Sequence, residues 1–293
     1  MTHPMRVLLI SLLIFALWAP FSSACPHHEE PTDKTGILLV TFGSSYPQAR
    51  KAFDNIDKSV RAAFPDTEVR WAYTSRMVRS IMQEKGEALD SPEQALAKMA
   101  DEGFSHVAVQ SLHMIPGYEY HYLVSAARAY ESIGKGISHI RVGMPLLAGQ
   151  AALDQTVEAV NASIPDERKT DEAVVLVGHG SGHPANASYA ALMWQLQLTD
   201  ENIFIGTISG FPDMDDILAR LRENDIQKVW LMPFMSVAGD HVQNDMFGED
   251  ADSWQSVFTE AGIAVETVNK GVAEYDAYVE IWIQHLEDAL SGF

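Results

Sequence analysis

The sequence contains a single cysteine, Cys25, so no disulfide can form within one chain. Basic residues are also scarce, because 20 lysines and arginines stand against 40 acidic residues and leave a formal net charge of −20. Such a surface repels nucleic acids and anionic membranes, and no nucleic-acid partner is expected. Of the 293 residues, 47% are hydrophobic, so we expect packing of a large core to stabilise the fold.

Several common catalytic and nucleotide-binding motifs are absent. The sequence has neither the GxSxG turn of many hydrolases nor the HExxH helix of zinc proteases. It also lacks the GxGxxG and GxxxxGK[ST] loops that hold nucleotide phosphates. A hydrolase mechanism and a nucleotide cofactor are therefore not expected.

The first 24 residues have the pattern of a secretory signal peptide. Arg6 precedes an apolar run over residues 7–18, and the small residues 22–24 suit a cleavage site. The mature protein is expected in the periplasm, with residues 25–35 as a flexible N-terminus. An alternative is a lipoprotein signal, because Cys25 directly follows the small residues and could be lipidated.

Eight short runs rich in β-branched residues alternate with amphipathic helical patterns, which is typical of an α/β fold with parallel sheets. The predicted strands span residues 36–42, 67–73, 106–112, 139–144, 173–178, 202–208, 228–234 and 264–269.

The pattern repeats by halves. The stretch LLVTFGSSYPQA (38–49) aligns with VLVGHGSGHPAN (175–186), and 108–120 aligns with 230–242. This predicts two similar Rossmann-like units of four strands, 36–147 and 148–293, rather than the alternative of one eight-stranded barrel. A last helix near 274–290 is expected to pack across both units. Ligands bind beyond the carboxyl ends of parallel strands, so a cleft between the units is the expected site.

Two histidines follow strands of the second half and form the candidate metal site. His179 comes after the fifth strand and His241 after the seventh. Neutral imidazoles on neighbouring loops can share a divalent cobalt, iron, nickel or zinc ion. The alternative for each is a loop histidine that hydrogen-bonds to backbone.

Other polar groups are expected at the same strand ends. Glu119 aligns with His241 in the internal repeat and is a candidate base, although a helix N-terminus would also favour a carboxylate there. Candidates for substrate contact are Ser44, Arg76, Arg79 and His183. The arginines suit substrate carboxylates, with exposed helix charges as the alternative. His183 precedes Pro184 and could equally cap the next helix.

The segment YEYHY, residues 118–122, groups three tyrosines with His121. Such an aromatic turn suits a subunit interface, and we expect a homo-oligomer through this region. His121 could ligate a metal or haem there, and the alternative is a surface histidine.

Long blocks of the sequence resemble the anaerobic cobalt chelatases of the CbiK type. These blocks are LLVTFGSSYPQAR, WAYTSRMVRSIM, VQSLHMIPGYEY, VLVGHGSGHPANASYA and LMPFMSVAGDHVQNDMFGED. The likeness covers essentially the whole chain after residue 35. It implies a fold of two Rossmann-like units around a tetrapyrrole cleft. It also implies ATP-independent insertion of Co(II) into sirohydrochlorin with release of two protons.

The resemblance also implies roles for particular residues. His179 and His241 match the two metal-binding histidines of the family. His179 also matches the family's proton acceptor, and Glu119 falls where the family keeps an acidic residue. Ser209 stands where family members have a glutamate as third metal ligand, so the metal choice could widen to Fe(II). The signal peptide is a second departure, because cobalamin synthesis is cytoplasmic. The alternative function is a periplasmic metal or haem binding or transport protein.

Overall fold

A computed structural model of the protein describes residues 33–134 and 136–293. The predicted signal peptide and the predicted N-terminal segment up to residue 32 lie outside the described residues. The flexible stretch was expected to run to residue 35, but Thr35 already pairs with His106 as the first residue of a strand. Pairing with the strand that contains His106 therefore fixes Thr35 within a sheet.

Two separate four-stranded sheets form the framework, and every neighbouring pair of strands is parallel. The first has the order β2-β1-β3-β4 and the second the order β6-β5-β7-β8, so the two halves share one topology. The predicted duplication is confirmed, and the barrel alternative is wrong. The strands are β1 (Thr35–Thr41), β2 (Glu68–Tyr73), β3 (His106–Ser111), β4 (His139–Gly143), β5 (Ala173–Gly178), β6 (Ile203–Thr207), β7 (Lys228–Pro233) and β8 (Ala264–Thr267).

The central strands are continuous apolar runs because helices cover both faces of each sheet. All six residues of β5 are buried, as are six of the seven in β1. The helices are α1 (Arg50–Ala63), α2 (Arg76–Glu84), α3 (Pro92–Asp101), α4 (Tyr118–Glu131), α5 (Gln150–Ser163), α6 (Ala187–Gln197), α7 (Met214–Glu223), α8 (Trp254–Glu260) and α9 (Asp276–Ser291). None of the helices in the described part of the chain is long and apolar enough to cross a membrane.

Helix α9 packs against β3 and β4 of the first sheet and against α5. Its buried face carries Tyr278, Trp282 and Leu286, which belong to the largest core cluster. The predicted division between residues 147 and 148 lies between β4 and α5, and residues 33–293 form one compact body. The two sheets thus have a fixed relative position, which the cleft between them requires.

Candidate active site

A cleft of about 720 Å³ lies beyond the carboxyl ends of the central strands, within the size range of small-molecule sites. The loops that follow β1, β3, β5, β6 and β7 all contribute to its lining. Three apolar or aromatic side chains of the lining are notably exposed, namely Phe42 at 46%, Met77 at 65% and Tyr118 at 64%. The cleft therefore offers a large apolar surface to a ligand.

His179 directly follows β5, where the chain leaves the sheet and turns sharply. Gly180 adopts a left-handed conformation with φ 77°, and Cβ of any other residue there would lie 2.7 Å from Thr207 Cβ. Nδ1 of His179 lies 2.9 Å from the carbonyl oxygen of Gly180. Because a carbonyl can only accept, Nδ1 carries the proton and Nε2 keeps its lone pair in the neutral ring.

His241 directly precedes a single π-helical turn, Val242–Met246. Its Nδ1 lies 2.6 Å from Oδ2 of Asp245, so the carboxylate accepts the Nδ1 proton. The lone pair of Nε2 is again the free one. A hydrogen bond of this kind orients a metal-binding imidazole and raises its basicity.

The rings of His179 and His241 lie with centroids 4.6 Å apart and planes at 77°, and both line the cleft. Two neighbouring imidazoles with free Nε2 lone pairs are a suitable donor set for a divalent transition metal. In the described part of the chain no group of three or more His, Cys, Asp or Glu side chains is arranged for a metal. Such a two-ligand set holds a metal ion less firmly than a closed site of four ligands does.

Three further predicted residues also line the cleft, namely Glu119, Ser44 and Ser209. Glu119 lies in the first turn of α4 and is partly buried. The backbone N–H of Ser209 donates to the carbonyl of His179 over 2.8 Å, so the two residues are adjacent across β5 and β6. The structure thus brings together five of the residues that sequence considerations selected.

The other predicted site residues lie outside the lining. Arg76 is exposed at the start of α2, and the neighbours that line the cleft are Met77, Val78 and Ile81. Arg79 lies one turn further, beside Glu93 and Tyr122. Helical periodicity explains this difference from the expectation, since a helix cannot present residues 76 and 79 on the same face as 77, 78 and 81.

His183 and His121 lie together beside the cleft. Their ring centroids are 5.0 Å apart, and His183 also packs edge-to-face on the lining residue Tyr118 at 4.9 Å. Nδ1 of His183 accepts a hydrogen bond from the backbone N–H of Ala185 over 3.1 Å. The capping alternative for His183 therefore holds, and its ring also contacts the rim of the cleft.

Sequence reasoning missed several polar residues of the site. Asp245 stands four positions after His241, a helical spacing that could have revealed it. Tyr46 donates its hydroxyl hydrogen to Asp240 over 2.8 Å and so links the two halves at the cleft. No local sequence signal could have revealed this pair, because the two residues are 194 positions apart.

His113 was not selected as a site residue, although its position near the end of a strand was evident. It lines the cleft, and its Nδ1 lies 2.9 Å from Oγ of Ser111. Its Nε2 atom is buried and has no hydrogen-bond partner among the described residues. Burial lowers the pKa of His113 to about 4, so the ring is neutral at ordinary pH.

Comparison with known proteins agrees with this geometry. The family model "Cobalt chelatase (CbiK)" matches residues 35–291. The sirohydrochlorin cobaltochelatase CbiKC of Nitratidesulfovibrio vulgaris is 42% identical over 275 residues, which cover 94% of this chain and 97% of the relative. The sirohydrochlorin cobaltochelatase of Salmonella typhimurium is 35% identical over 260 residues, with 88% and 97% covered.

Solved structures support the same fold at lower identity. The sirohydrochlorin chelatase SirB of Bacillus subtilis subspecies spizizenii, solved in complex with cobalt, is similar with a TM-score of 0.59 and 15% identity. The match covers 88% of this chain and 96% of SirB. CbiX, described as the terminal enzyme of sirohaem biosynthesis in denitrifying bacteria, has a TM-score of 0.55 and 16% identity over 87% and 99% of the two chains.

Proposed function

The chain belongs to the cobalt chelatase (CbiK) family, and on this premise we propose that it is an ATP-independent sirohydrochlorin cobaltochelatase. It inserts Co(II) into sirohydrochlorin, and the two pyrrole N–H protons of the macrocycle are released. The observation that carries the proposal is the pair of neighbouring imidazoles, His179 and His241, whose Nδ1 atoms are hydrogen-bonded and whose Nε2 atoms are free in a cleft large enough for a ligand.

The reaction requires a metal ion held by exchangeable ligands, a base for two protons and a surface that orients the macrocycle. In this proposal His179 and His241 present the metal ion, which is the substrate, from the second half of the molecule. The apolar faces of Phe42, Met77 and Tyr118 hold the flat ring. As the four pyrrole nitrogens take over the metal, Nε2 of His179 and the carboxylate of Glu119 accept the displaced protons.

Ser209 bears on the choice of metal. A serine hydroxyl is a weaker ligand for divalent transition metals than a carboxylate, so the two histidines would carry most of the binding. We infer that Co(II) is held loosely and that Fe(II) can take its place. Comparing initial rates with equal free concentrations of the two metals tests this, and a strict requirement for cobalt would contradict it.

We also propose that the protein is exported to the periplasm after cleavage near residue 24, since the pattern over residues 6–24 supports a signal peptide. N-terminal sequencing of the mature protein tests this. A mature chain that begins with a lipid-modified Cys25 would support the lipoprotein alternative, and an uncleaved cytoplasmic chain would contradict both.

The exposed His121, whose ring lies 5.0 Å from that of the half-buried His183, supports a further proposal, that His121 binds haem at a contact between copies of the chain through residues 118–122. Adding haem should give the absorption band of a histidine-ligated iron and a change in sedimentation. Both effects should be lost in a His121→Ala variant. An unchanged band in that variant would rule out His121 as the ligand.

The decisive experiment for the main function is a turnover assay with sirohydrochlorin and Co(II), followed by the change in the visible spectrum. Many equivalents of product per protein are expected. A double variant, His179→Ala with His241→Ala, should abolish turnover, whereas His139→Ala at the far end of the first sheet should not. Binding that stops at one equivalent would instead favour a metal or haem transport protein, and an unchanged rate in the double variant would exclude the proposed site.

A further inference from the structure

Four histidines on or beside the cleft fall into two pairs according to the hydrogen bond of Nδ1. In His179 and His241 the partner of Nδ1 is a carbonyl or carboxylate oxygen, which can only accept. In His183 the partner is a backbone N–H, which can only donate. In a neutral ring this choice decides whether Nε2 offers a lone pair or an N–H group.

The direction of the hydrogen bond between Ser111 and Nδ1 of His113 can be assigned by asking which atom carries the hydrogen. Ser111 is completely buried, and its hydroxyl has His113 Nδ1 as its hydrogen-bond partner within the described residues. If Nδ1 donated, the buried O–H of Ser111 would be left without an acceptor, which is costly. The hydroxyl therefore donates to Nδ1, and Nε2 of the neutral ring carries the hydrogen. This N–H is the buried group that has no partner in the described protein.

The two pairs thus offer opposite chemistry from different positions. His113 follows β3 of the first sheet and His183 precedes α6 of the second half, where it touches Tyr118 at the rim. Both present Nε2–H groups, while His179 and His241 present lone pairs. In these tautomers a metal ion can bind only to His179 and His241. A hydrogen-bond acceptor on a ligand can bind only to His113 and His183.

The cleft needs neutral donors, because no lysine or arginine lines it within the described residues. Sirohydrochlorin carries acetate and propionate side chains, and the protein around it has a net charge of −20. We propose that His113 and His183 donate their Nε2–H groups to carboxylates of the tetrapyrrole and so position it over the metal-holding pair. Hydrogen bonds to an ionised acceptor are stronger than those between neutral groups. This inference rests on the proposed function.

The tautomers can be tested without substrate or metal. Two-dimensional ¹H–¹⁵N spectra of the imidazole rings should show His113 and His183 with the hydrogen on Nε2 and His179 with the hydrogen on Nδ1. A Ser111→Ala variant should release His113 from its single tautomer and leave His183 unchanged. Finding His113 with its hydrogen on Nδ1 in the unmodified protein would overturn its part in the proposal.

Binding of metal-free sirohydrochlorin then tests the donors themselves. His113→Phe removes the N–H, whereas His113→Gln retains an amide N–H near the place of Nε2. His183→Asn keeps an acceptor for the Ala185 N–H and removes the Nε2–H donor together with the ring that packs on Tyr118. We expect Kd for sirohydrochlorin to rise about tenfold in His113→Phe and in His183→Asn and to recover largely in His113→Gln.

Affinity for Co(II) alone should change in none of these variants, and His139→Phe should behave like the unmodified protein. Equal loss in His113→Gln and His113→Phe, or unchanged Kd in all variants, would overturn the inference. Because no metal is present in the binding measurement, a protein that binds sirohydrochlorin through these donors but does not metallate it would contradict only the proposed function. Normal turnover with no effect of the variants on KM or Kd would contradict only this inference.

Discussion

The carboxylate of Asp245 accepts the Nδ1 hydrogen of His241 over 2.6 Å, four residues along a π-helical turn. Because this hydrogen bond occupies Nδ1, Nε2 is the nitrogen of His241 that remains free to bind a metal. π-Helical turns are rare and occur often at functional sites, and here the turn brings the carboxylate under its own histidine. In the proposed metal site Asp245 is therefore a positioning residue, which acts through His241 rather than on the substrate.

Removing this carboxylate should weaken metal binding. We expect Asp245→Ala to raise Kd for Co(II) between about tenfold and a hundredfold, since outer partners of metal-binding histidines have effects of this size. Isothermal titration of the substrate-free protein measures it. Glu249→Gln removes a charge from an exposed position nearby and serves as the control. Equal effects of the two variants would indicate a general loss of negative charge instead of a specific contact.

Position 209 allows the opposite change, in which a carboxylate is added to the cleft. Its backbone N–H binds the carbonyl of His179, so a longer acidic side chain at this position would enter the same cleft as the histidine pair. We expect Ser209→Glu to tighten Co(II) binding at least about tenfold, because a carboxylate adds a third ligand. Ser209→Ala should have little effect. Tighter binding is also expected to slow release of the metal to the macrocycle, which single-turnover measurements can detect.

Most of the fold could be predicted from the sequence because its signals are local. Strands such as β5 are continuous apolar runs with a glycine at the end, and all eight predicted strands are present, with no end displaced by more than two residues. The duplication was visible in the aligned stretches 38–49 and 175–186, and the shared strand order confirms it. Boundaries such as Thr35 depend on pairing with a distant strand, which a single segment does not reveal.

The site was predictable only in part, because local patterns say little about which side chains share a face or a proton. His179 and His241 were predicted from their places after parallel strands, and their rings lie side by side in the cleft. Arg76 and Arg79 were expected in the cleft, but the rotation of α2 turns Met77 and Val78 towards it instead. The role of His113 depends on the buried hydroxyl of Ser111, a relation that appears only in three dimensions.

Gly180 should be sensitive to any side chain. With φ 77°, an added Cβ would lie 2.7 Å from the backbone nitrogen of Gly210, and strained backbone of this kind costs about 1–3 kcal/mol. We therefore expect Gly180→Ala to lower the free energy of unfolding by about that amount and to disturb His179, whose Nδ1 binds the Gly180 carbonyl. Gly182→Ala in the same loop is the control, because its Cβ meets no atom within 4 Å. Urea unfolding compares the two, and similar stability in both would contradict the assigned conformation.

The buried ring of His113 should make stability depend on pH. Burial lowers its pKa from 6.5 to about 4, so between these values the unfolded chain binds a proton that the folded protein does not. Above pH 6.5 the titration of His113 therefore costs the folded state no stability. As the pH falls from 6.5 towards 4, the free energy of unfolding decreases, and below pH 4 this residue causes no further decrease. The loss is roughly 3 kcal/mol for the full difference in pKa.

This dependence can be isolated by comparing the unmodified protein with His113→Gln, which does not titrate. Between pH 7 and pH 4 the free energy of unfolding of the unmodified protein should fall by roughly 3 kcal/mol relative to that of His113→Gln, since His113, unlike glutamine, takes up a proton on unfolding in that range. The control is His139→Gln at the exposed start of β4, which removes a histidine and leaves His113 in place. Parallel profiles for the unmodified protein and His113→Gln would show that folding does not change the pKa of His113, and would contradict the burial of a neutral ring at this position.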